Sequence, residues 1–269
     1  MRILDQWRSW QEAQGLSERT ITDRAVTMRH LAKHADSDLL DITPDDIINY
    51  CSRRHLSPSS RSSYHASIRS FYEWAQRTGK IAEDPSVQTP RPKRPRTQPR
   101  PVQTRHISAL MRVLNRRRTR MMVVLAAYAG LRVHEIAKFR GDDLDRIGGV
   151  ITVTGKGGKT AMVPAHDVIL EAAADFPVRG YWFPAYNGAP HVTGHAVSNA
   201  IRRAMRRAGF DGKPHQLRHY YATELLEQGV DIRIVRDLMR HESIATTEIY
   251  TQVSMRQMVA GISALPRAA

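Results

Sequence analysis

Two segments near the end of the chain, HQLRH at 215–219 and LMRHESIATTEIYT at 238–251, decide which fold this sequence must build. Further upstream, AGLRVHEI at 129–136 and the turn TGKGGK at 154–159 add more charged side chains. In chain order, the four segments supply Arg132, Lys156, His215, Arg218, His241 and Tyr250. Cations, imidazoles and a phenol form a set that can hold a phosphodiester and attack it with the phenol.

Each of these residues also has a plainer structural interpretation. Arg132 follows an apolar run and can pair with Glu135, three residues later. Lys156 lies in a glycine-rich turn and can simply touch a backbone phosphate. The pair His215 and His219 resembles a zinc-binding helix, but it lacks the glutamate of H-E-x-x-H and a third ligand. The chemical interpretation therefore depends on the four segments occurring together.

The four segments resemble the signature of the tyrosine recombinases, the integrase family of site-specific DNA recombinases. That signature has an arginine in G-L-R-x-x-E, a lysine in a β-hairpin turn, an H-x-L-R-H helix, and an L-G-H segment nine residues before the nucleophile. The resemblance covers residues 105–260 through motifs and residues 1–88 through architecture. The chain departs from it twice. Arg240 replaces the glycine that usually precedes the third-motif histidine, and Ala161, two residues before Val163, replaces an arginine often found shortly before the Val-Pro of the hairpin.

The resemblance assigns the bond-making and proton-transfer roles. Tyr250, nine residues after His241, would be the nucleophile. A phenol with a pKa of about 10 attacks slowly without help, and His215 would act as its acid/base partner. Lys156 would reach the leaving 5′-oxygen from its hairpin turn and protonate it. The product would be a 3′-phosphotyrosine link, which a 5′-hydroxyl of a partner duplex then reverses.

The resemblance also assigns the groups that hold the phosphate. Arg132 and Arg218 each present a guanidinium that meets two phosphate oxygens at once. His241 would donate to a further oxygen, and Glu135 would orient a neighbouring side chain. Because the chain supplies these cations and the ester bond energy is retained, we expect no cofactor, neither a metal ion nor ATP.

Composition is that of an ordinary globular protein with one large domain or two modest ones. The 269 residues are 41% hydrophobic and 25% charged. No apolar run approaches the roughly 20 residues that a bilayer requires. The N-terminus MRILDQWRSW has no signal-peptide core, so we expect a cytoplasmic protein without a membrane partner. The single Cys51 cannot form an internal disulfide, which fits a reducing compartment.

Positive charge is concentrated in the second part of the chain. The formal net charge is +15, but residues 1–88 carry 12 basic and 12 acidic residues, whereas residues 89–269 carry 29 and 14. Such a positive field favours the binding of a polyanion such as a nucleic acid. The alternative interpretation is a basic surface that only aids solubility. Six prolines alternate with basic residues over 85–105, where no acid occurs. This pattern predicts a basic, proline-rich and extended linker over 89–104.

Candidate DNA contacts lie in this linker and just after it. A basic linker would follow the DNA backbone, whereas the alternative is an inert tether. The candidates share a cationic side chain that can contact phosphate oxygens. They are Arg91, Lys93, Arg94, Arg96, Arg100, Arg116, Arg117 and Arg118. We therefore expect double-stranded DNA as the partner.

Periodicity, caps and turns predict two domains. Over residues 1–88 they predict four short helices in a compact bundle, which the resemblance implies is an N-terminal helical core-type DNA-binding domain. Over residues 105–269 they predict a buried helix at 121–129 and a β-hairpin of 149–154 and 160–164, and the resemblance implies that this part is a catalytic domain with a short C-terminal tail. Further helices are expected near 166–174, 193–208, 214–228, 231–239 and 252–260. The expected fold is mostly α with a small antiparallel β-sheet, an α+β class.

The resemblance implies a site-specific DNA recombinase or integrase that integrates or excises a phage or mobile element. It would act as a homotetramer on DNA whose protomers exchange C-terminal tails, residues 252–269, with a host or phage DNA-bending protein as an optional accessory factor. Three alternatives stay open. They are a chromosome-dimer resolvase of the same family, a monomeric type IB-like topoisomerase, and a catalytically silent DNA-binding regulator.

Overall fold

The computed structural model describes residues 3–93, 101–155, 158 and 160–240, and the chain divides into two compact units, Met1–Thr97 and Gln98–Ala269. Within those residues, no helix combines the length and the apolar character needed to cross a membrane. Several predicted features lie outside the described residues: Arg94, Arg96, Arg100, Lys156, His241, Tyr250, and the helix and tail after 251.

The first unit contains the four helices that the sequence predicts. They are α1 (Ile3–Ala13), α2 (Glu18–Ala35), α3 (Pro44–Ser52) and α4 (Pro58–Arg77). Three of them begin where a hydroxyl oxygen accepts a hydrogen bond from a backbone N–H of the first turn, at Ser17, Thr43 and Ser57. At Thr43 the Asp46 carboxylate accepts from the Thr43 N–H at 2.9 Å, which completes a capping box.

Aromatic rings fill the centre of this bundle. Trp7 of α1 meets Phe71 of α4 edge to face, with ring centroids 5.1 Å apart, and Trp74 lies 6.4 Å from Trp7. The Tyr72 hydroxyl donates to the Leu39 carbonyl at 2.9 Å, so this polar atom is satisfied inside the core. The bundle is therefore held mainly by buried apolar surface.

Residues 85–88, where the proline-rich stretch begins, are folded, as expected for the end of the predicted N-terminal domain. Pro85–Gln88 form a 3₁₀-helix, and the Asp84 carboxylate caps it by accepting from the Ser86 N–H at 2.7 Å. The following residue, Thr89, is buried, and its hydroxyl lies 2.8 Å from Nε2 of His65 on α4. Proline favours extension here, but these buried hydrogen bonds outweigh it.

Among its described residues, the second unit is mostly helical with a three-stranded antiparallel sheet, which confirms the predicted fold class. In chain order its elements are α5 (Thr104–Val113), α6 (Arg117–Tyr128), α7 (Val133–Lys138), β1 (Leu144–Asp145), β2 (Val150–Thr154), β3 (Thr160–Pro164), α8 (Asp167–Ala173), α9 (Gly194–Arg207), α10 (His215–Glu227) and α11 (Ile232–Met239). A 3₁₀-helix, Gly141–Asp143, precedes β1.

The sheet extends the predicted hairpin by one strand. β2 pairs antiparallel with β3, with Ile151 opposite Val163. β1 pairs antiparallel with the other edge of β2, where Leu144 lies opposite Ile151. A strand of two residues has no room for the alternation that marks a strand in sequence, so β1 was not predicted.

α6 forms the centre of the second unit. Residues Met121–Ala127 are all buried, because this segment of the helix is apolar on every side. It packs against α8, α9 and α10. The chain leaves α6 through Gly130, whose φ of +59° lies in the left-handed region that glycine adopts without strain. This turn leads directly into Arg132.

Candidate active site

Arg132 stands at the start of the short helix α7, where Glu135 fixes it. The Arg132 backbone N–H donates to Oε2 of Glu135 at 2.7 Å, and its Nη1 donates to Oε1 at 2.9 Å. One carboxylate thus holds both the backbone and the side chain of this arginine. The Arg132 side chain is still 35% exposed. It can therefore pair with Glu135 and also face a ligand, so the two interpretations of Arg132 are compatible.

Glu135 is a buried carboxylate between two guanidinium groups. Its side chain is 2% exposed, and besides Arg132 it accepts from Nη2 of Arg240 at 3.1 Å. Burial alone would raise the pKa of Glu135, but the charges and hydrogen bonds of Arg240 and Arg132 hold that pKa below its usual value. Glu135 is therefore ionised at neutral pH, in a position to orient two arginines.

Arg240 ends α11 in the left-handed conformation, with φ +54°. The backbone thus has the form that a glycine adopts most easily, although the residue is an arginine. Its side chain turns inward and is 9% exposed. Nη2 lies 3.3 Å from the Gly130 carbonyl, and Nη1 lies 3.1 Å from the Leu238 carbonyl. The sequence marked this position only as a departure, and the contact with Glu135 was missed.

Arg218 lies on α10 and is 1% exposed. Its two terminal nitrogens donate to the backbone carbonyls of Gly130 and Met239. The Gly130 carbonyl therefore accepts from both Arg218 and Arg240. Arg218 is tied in this way to the same turn that leads into Arg132.

Close packing explains why residue 130 is a glycine. A Cβ atom at this position would lie 2.7 Å from Cδ1 of Tyr221 and 3.3 Å from the sulfur of Met239. The positive φ adds a second reason. The absence of a side chain lets α10 and the end of α11 approach the turn, and this approach gives Arg218 its carbonyl partner.

His215 and His219 lie one turn apart on α10, with ring centroids 4.3 Å apart. His215 is exposed at the surface, yet the protein around its ring lowers its pKa, and the charges of Arg218 and Arg132 lower it further. Burial, then His215 and Arg218, lower the pKa of His219 to about 4. His215 is thus neutral at pH 7 and can accept a proton.

The structure brings three of the six predicted catalytic residues into one neighbourhood. The charges of Arg132 and Arg218 both act on His215. The other three are outside the described residues, although His241 follows directly after Arg240. No group of three or more metal-binding side chains occurs in the part of the chain that the structure describes. The expectation that no cofactor is needed stays a prediction.

The predicted DNA contacts that the structure describes lie mostly on the surface. Those that are exposed are Arg91, Lys93, Arg116 and Arg117. Arg118 is only partly exposed: its Nη2 donates to the Pro184 carbonyl at 2.5 Å, and its guanidinium lies 5.3 Å from the ring centroid of Tyr186. A phosphate contact by Arg118 would compete with these bonds.

Comparison with known proteins identifies relatives of both units. Residues 101–257 match the model of the phage integrase family, and residues 4–79 match the phage integrase N-terminal SAM-like domain. The tyrosine recombinase XerD of Staphylococcus saprophyticus is 30% identical in an alignment of 269 positions that covers 91% of this chain and 91% of the relative. The similarity thus extends over most of both chains.

Solved structures share this fold. The integrase from mycobacterium phage Brujita is 39% identical and covers 99% of this chain and 94% of its own, with a TM-score of 0.54. A lambda integrase dimer bound to a COC′ core site has a TM-score of 0.77 at 18% identity, over 94% of this chain and 95% of that chain. At so low an identity, the second likeness shows the fold alone.

Proposed function

Because this chain belongs to the phage integrase family of tyrosine recombinases, enzymes that cleave and rejoin DNA through a tyrosine intermediate, we propose that Tyr250 is its nucleophile. The observation that carries the proposal is the order of the catalytic set along the chain, with Tyr250 nine residues after His241. The Tyr250 oxygen attacks the phosphorus of the scissile phosphodiester. A 3′-phosphotyrosine bond forms, and the bond to the 5′-oxygen breaks.

Arg132 and Arg218 hold the phosphate during this step. Each guanidinium can donate two parallel hydrogen bonds to phosphate oxygens, and these bonds strengthen as negative charge builds in the transition state. Arg132 is partly exposed and oriented by Glu135, which supports its role. Arg218 is buried, and its bonds to the Gly130 and Met239 carbonyls hold its guanidinium at the turn that leads into Arg132, which supports the same role.

Two groups move the protons. His215 accepts the phenol proton of Tyr250, and its lowered pKa supports this because the ring is neutral at pH 7. Lys156 protonates the leaving 5′-oxygen, and His241 donates to a phosphate oxygen. When a 5′-hydroxyl of a partner duplex attacks the phosphotyrosine, the same groups act in reverse. Neither a metal ion nor a nucleotide enters these steps.

Cationic side chains hold the DNA through its phosphates. The proposed domains are an N-terminal helical domain at 1–88, a linker at 89–104 and a catalytic domain at 105–269. The exposed positions of Arg91, Lys93, Arg116 and Arg117 support contacts with the phosphates of the DNA backbone. We further propose a homotetramer on DNA whose protomers exchange residues 252–269, with an accessory DNA-bending protein as an optional partner.

The biological reaction we propose is integration or excision of a phage or mobile element. The Brujita phage integrase supports it, with 39% identity over 99% of this chain. Chromosome-dimer resolution is the second candidate, and the XerD relative at 30% identity favours it. The DNA sequence that the protein selects decides between them, because a site flanking its own gene indicates a mobile element and a site in the chromosome terminus indicates a resolvase.

The nucleophile is tested with a nicked duplex that carries the selected site. A nick next to the scissile bond traps the intermediate. The short fragment that carries the released 5′-hydroxyl diffuses away, so it cannot attack the phosphotyrosine and reverse the cleavage. We expect a covalent protein–DNA adduct in excess chelator and without nucleotide, and its loss in Tyr250→Phe with DNA binding retained. An undiminished adduct in that variant would refute the assignment, and a need for zinc or magnesium would indicate a metal-dependent nuclease.

The same assay separates the remaining alternatives. A catalytically silent regulator forms no adduct at any site. A type IB-like topoisomerase relaxes supercoiled plasmid that lacks the selected site, and it remains monomeric on DNA. The proposed recombinase instead requires its site, assembles beyond a dimer on it, and loses strand exchange more than cleavage when residues 252–269 are deleted.

A further inference from the structure

Arg240 connects the two arginines that are proposed to bind the phosphate. Its Nη2 lies 3.1 Å from the Glu135 carboxylate, which holds Arg132, and 3.3 Å from the Gly130 carbonyl, which holds Arg218. We propose that Arg240 is a positioning residue. It neutralises Glu135, so that the charge of Arg132 stays available to the phosphate, and it fixes both arginines relative to the end of α11. The inference rests on the proposed function.

The balance of charge around Glu135 carries the first part of the argument. Without Arg240, the buried carboxylate would face Arg132 alone, and the pair would have no net charge. Arg240 adds a second cation 3.1 Å from the carboxylate, so the group of three keeps one net positive charge. Because such charges interact strongly where water is excluded, Arg132 retains an attraction for phosphate that a simple ion pair would weaken.

Backbone geometry carries the second part. Arg218 donates to the carbonyl of Met239, the residue before Arg240, and both arginines donate to the Gly130 carbonyl. The end of α11 is therefore tied to the turn at Gly130 from two sides. The next residue in the chain is His241. Arg240 thus lies where the third motif begins, and it links that motif to the first two.

Burial distinguishes this role from a direct DNA contact. The Arg240 side chain is 9% exposed, and both of its terminal nitrogens already donate within the protein. Its φ of +54° is strained for any residue that carries a Cβ atom. The contacts of the guanidinium offset that strain. A glycine would relieve the strain but would leave Glu135 with one cation fewer.

The test compares Arg240→Met, Arg240→Lys and Arg240→Gly in the full-length protein on the nicked duplex described above. Methionine keeps the length without the charge, lysine keeps the charge, and glycine relieves the backbone. We expect cleavage to be about tenfold to a hundredfold slower in the Met and Gly variants, because Arg132 is weakened and displaced. The Lys variant should recover part of the rate, and binding of a half-site should stay unchanged in all three.

Arg236→Met is the matched control. Arg236 is also on α11, but it pairs with Asp237 and not with Glu135, so its variant should cleave at the normal rate. Normal cleavage by Arg240→Met overturns the inference, and so does a loss of DNA binding in step with the loss of cleavage. If the unaltered protein forms no adduct at all, the proposed function fails first, and the inference falls with it.

A double variant keeps the inference testable even where a single variant is unstable. If Arg240 acts by neutralising Glu135, then adding Glu135→Gln to Arg240→Met removes the carboxylate that would otherwise cancel the charge of Arg132. The double variant should cleave faster and melt at a higher temperature than Arg240→Met alone. Simple addition of the two losses would mean that the residues act independently, and it would overturn the inference.

Discussion

The two units bury different kinds of groups at their centres. The bundle closes around aromatic rings, with Trp7 and Phe71 in edge contact and an exposed ion pair between Arg69 and Glu73 outside. The second unit has an apolar core around α6, but next to it lies a carboxylate between two guanidinium groups. Only the second unit, within the described residues, holds an ion pair whose carboxylate is almost fully buried.

This difference separates what holds the protein together from what performs chemistry. Apolar burial is non-directional, and its contribution to stability depends mainly on the apolar area that is removed from water. A buried charge needs a partner at a defined distance, and loss of one partner leaves the other uncompensated. The charged centre therefore fixes the relative positions of its side chains at a cost in stability, and a phosphate-binding site requires such fixed positions.

The largest effect should follow a change at the charged centre. Glu135→Gln leaves the buried guanidinium of Arg240 without its counter-charge and loosens Arg132. We expect the free energy of unfolding of the second unit to fall by about 3 kcal/mol or more, and DNA cleavage to fall with it. Denaturant unfolding, monitored through hydrogen exchange of the backbone amides of the second unit, measures the change in its free energy of unfolding.

The matched control for that variant lies in the bundle. Glu73→Gln removes the carboxylate of an exposed pair with Arg69, whose nitrogen lies 2.6 Å away. Because solvent screens such a pair, the loss should be about 0.5 kcal/mol or less. Equal losses in the two variants would mean that burial does not set the value of these ion pairs, and the contrast between the two units would collapse.

Much of the fold could be predicted because its signals are local. The Thr43-Pro44 start of α3 combines a cap, a proline and early acids within four residues, and the structure has a capping box there. Likewise, the apolar run at 121–129 predicts the buried helix α6. Such elements depend on neighbours in the chain, which a single sequence displays.

The missed features are either short or distant. α7 has six residues, too few for a repeating helical pattern of apolar residues to be recognised, so it was not predicted. The contact of Arg240 with Glu135 joins residues 105 positions apart. No local pattern reveals such a pair, and a charged side chain in a left-handed backbone is expected to point into solvent. Only the fold brings the two side chains together.

The second prediction concerns the stability of the second unit at acidic pH, and it again contrasts the two units. The pKa of His219 is lowered to about 4, first by burial, so the folded protein binds a proton at that site less readily than the unfolded chain does. The unfolded state therefore takes up protons as pH falls below about 6.5, and stability is lost between that pH and about 4. The free energy of unfolding should fall by roughly 2 kcal/mol. This is less than the full pKa shift implies, because the ring is partly accessible to water and the solvent screens its charge.

Two variants assign this loss to its unit. His219→Gln removes the titration and should flatten the acid slope of the second unit in calorimetric scans from pH 7 to pH 4.5. In the bundle, burial and then the charge of Arg69 lower the pKa of His65, which contacts Thr89. His65→Gln should therefore flatten only the slope of the bundle. If His219→Gln leaves the slope of the second unit unchanged, His219 is not the group that takes up the proton.

The smallest effect separates backbone strain from close packing through a pair of glycines. Gly79 in the bundle has φ +66° and open space around it, whereas Gly130 has φ +59°, and a Cβ atom added there would lie 2.7 Å from the Tyr221 ring. Gly79→Ala should therefore cost only the left-handed strain, about 1 kcal/mol. Gly130→Ala should cost that amount plus about 1 kcal/mol for displacing Tyr221, as measured by urea unfolding.

Because the Gly130 carbonyl accepts from Arg218 and Arg240, its variant should also slow cleavage, while Gly79→Ala leaves the rate unchanged. Equal stability losses with normal cleavage in both variants would mean that the turn at Gly130 is no more constrained than a loop of the bundle.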